Sequence, residues 1–227
     1  DRDGITMGYG TVTNTGTIGE IKDGKGTTTG ASNNGIAIGN YSSDQTAKVT
    51  NTYDSATGTG GKITGTTYGI YETKASISGG ESGIRHEGTG TITNAGTITG
   101  QQTGVVLTGA VTVINTAGGS IAGADSGITM NSGTVTNTGV IGEIEDSAGA
   151  TTVTSKYGIA ISNASTGQTA AVTNAYDTST GKAGKITGTT YGIHVTEGKV
   201  NVTNETKASI SGGESGIRHE GTGTITN

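Results

Sequence analysis

The 227-residue chain is 29% hydrophobic and 4% aromatic, with no Phe, Trp, Pro or Cys. That composition excludes an interior packed with large side chains, a disulfide framework and thiol chemistry. A net charge of −5, a pI near 5.1 and the lack of a basic run argue against nucleic acid and anionic membrane surfaces as partners.

No apolar stretch approaches the ~20 residues that span a bilayer. Gly at 44 positions and Thr at 47, with abundant Ile and Val and only 14% charged residues, separate the chain from a disordered one. They predict many short strands joined by tight turns.

In chain order, each unit opens on Gly followed by a β-branched residue, continues through Val/Ile-x-Asn, and ends on a third apolar anchor. The first unit is Gly4-Ile5, Val12-Thr13-Asn14 and Ile18. The second is Gly35-Ile36, Val49-Thr50-Asn51 and Ile63. Extra segments, Gly24 to Asn34 between Ile18 and Ile36 and Thr52 to Gly61 between Asn51 and Ile63, must leave the coil as loops. The third, Gly69 to Ser82, holds Ile70 and Ile77 but no Val-x-Asn, so a local distortion or an uncertain register is expected there.

Then comes a plain unit. Ile84, Ile92, Ile98 and the next opener, Val105, are separated by 8, 6 and 7 residues. After Val105, Val113-Ile114-Asn115 and Ile121, the order starts again: Gly4-Ile5-Thr6-Met7 recurs as Gly127-Ile128-Thr129-Met130. The 23 residues from Glu72 to Asn94 reappear unchanged from Glu205 to Asn227. The chain therefore reads as a single array over 1–227. A long repeat at 4–126 is followed by an incomplete second copy at 127–227, a window on a longer array.

Three apolar anchors in about 20 residues, each on a short alternating segment, predict a coil with three faces. One coil cannot bury its own inward side; stacking coils at ~4.8 Å gives parallel sheets around an Ile/Val core. The expected fold is all-β, a parallel β-helix with loop insertions. The crossover rule makes it right-handed, and glycines are expected at corners needing positive φ. Asn14, Asn51, Asn94, Asn115, Asn137, Asn174 and Asn204 fall at one corner. Stacked amides there can hydrogen-bond along the coils as a structural ladder.

The run Gly88-Thr89-Gly90-Thr91-Ile92-Thr93-Asn94-Ala95-Gly96-Thr97-Ile98-Thr99-Gly100 resembles the passenger-domain repeats of bacterial autotransporters, the type V secretion family, and similar large repetitive surface adhesins. The likeness covers essentially the whole chain. It implies export through the outer membrane by a translocator absent from this chain, an extracellular or cell-surface location, and a role as adhesin, self-associating factor or stalk. The implied partners are host or cell-surface ligands, or copies of the chain itself.

Candidate chemistry is sparse, and no catalytic, cofactor or metal residue is assigned. Arg85-His86-Glu87 and its copy Arg218-His219-Glu220 hold two of the three histidines, a combination open to acid/base or metal chemistry. Yet His86 aligns with Leu107, Met130, Ile161 and Val195, so it reads as an inward or corner residue between two solvated ones. Asn40, Asn163, Asn201 and Asn204 begin Asn-x-Ser/Thr triplets.

Three functions remain. The first is a non-enzymatic surface shaft or adhesin, with filament formation an option. The second is a polysaccharide lyase or hydrolase, which needs a groove of convergent carboxylates. The third is an ice-binding protein, suggested by Thr11-x-Thr13 and Thr91-x-Thr93, but needing one flat threonine face free of loops. The recurrent insertions argue against that last reading.

Overall fold

The computed structural model describes residues 3–7, 10–14, 17–22, 25, 28–31, 34–38, 47–51, 53–54, 59–60, 62–65, 76–79, 81–86, 90–146, 148–163 and 168–227. Among them the fold is all-β, with no helix, and every long ladder is parallel. The parallel strands form three rows, visited in the same order along the chain.

The first row pairs Ile5 with Ile36, and then runs Ile84, Val105, Ile128, Ile159, Ile193, Ile217. The second pairs Val12 with Val49 and, further on, runs Ile92, Val113, Val135, Val172, Val202, Ile225. The third is continuous from Ile18 through Ile63, Ile77, Ile98, Ile121, Ile141 and Ile186 to Ile210. In Thr103–Asn115 and Ser126–Asn137 the first row bends into the second without leaving the strand.

Alternation along each strand puts these anchors on one side. From Ile84 to Val202 those described form one cluster of fully buried side chains, with Ile5, Val12, Ile18, Ile210 and Ile217 packed against it. Each such burial contributes about 1.5–3 kcal/mol, and β-branched side chains give up little rotamer freedom in a strand. A chain without Phe or Trp thus builds a dry interior from Ile and Val, provided it is narrow.

The row-opening glycines serve proximity. Gly83, Gly104, Gly127, Gly158 and Gly192 are not in the left-handed region. A Cβ on Gly104 would lie 2.6 Å from the carbonyl of Gly127 and 2.8 Å from Ile121 Cγ2. Positive φ occurs elsewhere, for instance at Gly133 (102°), where the second row begins.

The long insertions are antiparallel hairpins. Glu143–Glu145 pairs with Thr151–Thr154, and Tyr176–Asp177 with Lys182–Ala183. The first copy repeats both, pairing Glu20–Lys22 with Thr28–Ala31 and Tyr53–Asp54 with Thr59–Gly60. Each leaves at a corner between rows. Most of the short unit Gly69 to Ser82, including Glu72, lies outside the described residues; Ile77 keeps its register with both Ile63 and Ile98.

Candidate functional site

The second row ends at the asparagine corner. Asn94 Nδ2 donates to Asn115 Oδ1 at 2.8 Å, Asn115 to Asn137 at 2.8 Å, Asn137 to Asn174 at 2.8 Å, and Asn174 to Asn204 at 2.9 Å. A further rung, Asn204 to Asn227 at 2.7 Å, extends the series beyond the residues the sequence singled out. Asn14 and Asn51 are in register.

Each Nδ2 also meets a carbonyl of its own corner: Gly96 at 3.0 Å, Gly119 at 3.2 Å, Gly139 at 3.1 Å, Gly184 at 3.1 Å and Ala208 at 3.2 Å. Asn94, Asn115, Asn137 and Asn174 are at most 1% exposed, so these bonds are what make burial of four amides tolerable. Glycine clears the space, since a Cβ on Gly119 would lie 2.2 Å from Asn115 Oδ1.

Arg85 and His86, and the copy Arg218-His219-Glu220, split across the strand. Arg85, Arg218 and Glu220 are exposed. His86 takes the register of Leu107, and His219 that of Val195, on the inward side. Glu87 lies outside the described residues. His86 Nδ1 and His219 Nε2 are buried without a hydrogen-bond partner, and burial pushes His86 below the ordinary histidine value. In the copy, the His219 imidazole thus points inward while Arg218 and Glu220 lie on the outward side.

Along the first row a cluster comes together around Tyr191, itself only 8% exposed; of its members the sequence had singled out Arg218 and Glu220. Tyr157 and Tyr191, neighbours in register, stack with ring centroids 5.9 Å apart and planes at 11°. The His194 ring lies 4.9 Å from both. Tyr191 Oη donates to Glu214 Oε2 at 2.7 Å and accepts from Arg218 Nη1 at 2.8 Å, while Arg218 Nε donates to Glu220 Oε1 at 2.6 Å. Lys156 Nζ sits 4.9 Å from the centre of the Tyr157 ring.

Partial burial is the main cause pushing His194 below its ordinary value. Arg218 and Lys156 act in the same direction, and Glu220 opposes them. The cluster spans three successive rungs, so the parts contributed by different rungs are far apart in sequence. Comparing the residues before and after each Gly-Ile pair would have found it.

Beside the Tyr176–Ala183 hairpin lies an open cleft of about 800 Å³, lined by Tyr176, Thr178, Glu205, Lys207 and Asn227 among others. Lys207 Nζ stands 4.2 Å from the centre of the Tyr176 ring. At the hairpin's tip Asp177 accepts from Ser179 Oγ at 2.6 Å and Thr180 Oγ1 at 2.8 Å, which hold its carboxyl down at about 2.

Of the Asn-x-Ser/Thr triplets, Asn163 is 2% exposed and donates to the Gln168 carbonyl, and Asn204 is engaged in the ladder. Asn201 is exposed and accepts from the Thr224 amide. Asn40 lies outside the described residues. Among the described residues no three His, Cys, Asp or Glu come together as metal ligands.

Fold and site define an all-β protein of parallel stacked strands with an internal amide ladder and an outward patch of Tyr, His and Arg. Comparison with protein-family models, curated proteins and solved structures gives no match for this chain.

Proposed function

We propose that this chain is a right-handed parallel β-helix of three-faced coils of about 20 residues, and that it serves as a non-enzymatic extracellular shaft or adhesin. In this reading it comes from the repetitive part of a bacterial cell-surface protein of the autotransporter type. The shaft displays its outward patches and hairpins to other cells, to surface ligands or to copies of itself.

One observation carries the reading. The rungs share an interior of Ile, Val and stacked Asn, whereas the outward positions differ from rung to rung: Thr129, Ala160, His194 and Arg218 occupy one column. A stack of this kind is a stiff spacer whose outside is open to variation, and near-identical repeats multiply weak contacts into avidity.

Electron microscopy of the purified native protein, beside cells before and after surface shaving, tests this. Rods roughly 20–30 Å wide, built at ~4.8 Å per coil and lost from shaved cells, are expected. Compact soluble particles with no attachment to the cell surface would sink the proposal and direct the search to polysaccharide cleavage.

A further inference from the structure

The Glu205–Ala208 corner places a charge at a strained position. Ala208 N donates to the Glu205 carbonyl at 3.0 Å, closing a tight turn whose third residue is Lys207. Lys207 has φ 75° and is the one non-glycine in the left-handed region among the described residues. A turn of this kind ordinarily takes Gly or Asn there, because a longer side chain is strained at positive φ. The strain positions the lysine head group. Its Nζ stands 4.2 Å from the centre of the Tyr176 ring and, among the described residues, meets no carboxylate at ion-pair distance.

A second observation is the cleft beside this corner. The open space of about 800 Å³ is lined by Tyr176, Glu205 and Lys207 together with the exposed Thr203 and Thr226, and its volume lies within the ~300–1,000 Å³ of small-ligand sites. Glu205 Oε2 accepts from the Tyr176 amide at 2.9 Å, so its carboxylate is held toward the hairpin and not paired with the lysine. The cleft thus presents one negative and one positive head group, each tied to Tyr176 and neither neutralising the other. Ala208 is the one aliphatic residue in the lining.

We infer that this cleft binds a neutral sugar unit of a surface glycan. A sugar offers hydroxyls on its rim and C–H groups on its faces. The Glu205 carboxylate accepts hydroxyl protons, the Lys207 ammonium donates to a hydroxyl or ring oxygen, and charge assistance strengthens both bonds. The Tyr176 ring supplies apolar surface for a C–H face. The two charges cancel, which suits a neutral sugar; a phosphate or uronate would meet Glu205. An apolar peptide side chain finds no pocket among these polar residues. Hydrolysis needs a pair of carboxylates, and Glu205 is the one carboxylate side chain in the lining, so the cleft holds a sugar without cutting it. The inference deepens the surface proposal by naming a ligand class, and rests on it for access to a glycan. Sugar binding is read on the purified chain, so its failure would leave rods and surface attachment untouched.

The full chain, isotope-labelled for NMR, is titrated with neutral tetrasaccharides of glucose, mannose and galactose, each to about 10 mM, enough to detect a Kd near ~1 mM. At least one is expected to shift the amide resonances of Tyr176, Glu205 and Lys207 saturably. Tyr176→Ala and Glu205→Gln are expected to weaken that binding about tenfold or more, the loss of roughly one good contact. Lys207→Gly is the decisive variant. Glycine relieves the turn, so the variant should melt no lower than the native chain and still bind about tenfold more weakly. Should it fail to fold, Lys207→Asn, which also tolerates the turn, takes its place. Lys199→Ser, an exposed lysine outside the lining, is expected to keep native affinity. The inference falls if no neutral tetrasaccharide moves these resonances. It falls equally if K207G binds as the native chain does, because the lysine then serves only the hairpin. Binding of oligogalacturonate or sialyllactose alone, titrated in parallel, overturns it too and assigns the cleft to an acidic ligand.

Discussion

Replacing Asn137 by Ala removes the middle rung of the amide ladder. The side chain is fully buried; it donates to Asn174 Oδ1 at 2.8 Å and to the carbonyls of Gly139 and Lys185, and accepts from Asn115 at 2.8 Å. Asn115 Nδ2 keeps the Gly119 and Val140 carbonyls, and the Gly139 carbonyl keeps the Lys185 amide. Asn174 Oδ1 loses its donor and stays buried. An orphaned buried acceptor costs ~1–3 kcal/mol, and loss of the remaining bond to Asn115 adds roughly 1 kcal/mol. The expected destabilisation is therefore about 2–4 kcal/mol.

Asn204→Ala, at a half-buried rung where water can substitute, should cost roughly 1 kcal/mol or less. A stack of rungs opens locally, so amide hydrogen exchange at Val140, Ala175 and Lys185 is the assay, with urea melting alongside. Asn137→Asp sharpens the test. A carboxylate there would face Asn174 Oδ1 with no proton to give, so burial raises its folded pKa. The variant's stability is then greatest below the unfolded aspartate value of ~3.9 and falls as pH rises through the raised folded value. If N137A costs no more than N204A, or N137D shows no such pH trend, the ladder is not what holds the corner.

Further outcomes follow from single contacts. Gly119→Ala should destabilise by several kcal/mol, roughly the cost of a severe core clash, because its Cβ would collide with Asn115 Oδ1 at 2.2 Å and the Asn94 carbonyl at 2.6 Å. Ala208→Gly, at the equivalent corner that already accepts a Cβ, should be nearly neutral; thermal melts compare the two. His86→Leu should stabilise by about 1 kcal/mol, since it removes an orphaned buried nitrogen and matches Leu107 beside it; a lower urea midpoint would contradict that. Asp177 is ionised in the folded hairpin down to about 2, so its contribution is complete above the ordinary aspartate value of 3.8 and is lost as pH falls through about 2. The Ser179 amide resonance should titrate with that midpoint, and Asp177→Asn should abolish the titration.

Much of the stack was legible because period and residue type coincide. Ile84, Ile92 and Ile98 are β-branched, 8 and 6 residues apart and preceded by Gly or Thr, a pattern that recurs unit after unit and suits a repeated strand. The parallel pairing of Ile98 with Ile121, and of His86 with Leu107, follows from aligning the units. The hairpins were legible as departures but not as strands. Glu143–Glu145 and Tyr176–Asp177 are too short to show a period, and their pairing depends on where the corner aims them. Positive φ at some glycines was expected and occurs at Gly133 and Gly142, but the crowding around Gly104 was not legible, because a Gly before Ile looks the same whether the backbone needs positive φ or a neighbour needs room. The Tyr157–Tyr191–His194–Arg218 cluster was hidden because its three rungs contribute residues more than 20 positions apart, and only the register brings them together.

A core made solely of Ile and Val would leave the register underdetermined. Sliding a strand by two residues keeps its inward and outward sides, and one β-branched residue packs much like another. The amide ladder removes that freedom. A two-residue slip of Thr169–Asn174 would draw Asn174 away from Asn137 and from the Gly184 carbonyl, leaving buried polar atoms unpaired on two rungs. Gly184 leaves no slack at this corner, since a Cβ on it would lie 2.3 Å from both the Asn137 carbonyl and Asn174 Oδ1. Ile and Val thus supply the magnitude of stability, and Asn with its facing Gly supplies the uniqueness of the register. Because both devices sit inside, the outward columns are under little structural constraint. The first row can therefore hold Ala160, His194 and Arg218 in one column, while in the second row Thr136, Thr173 and Thr203 share another.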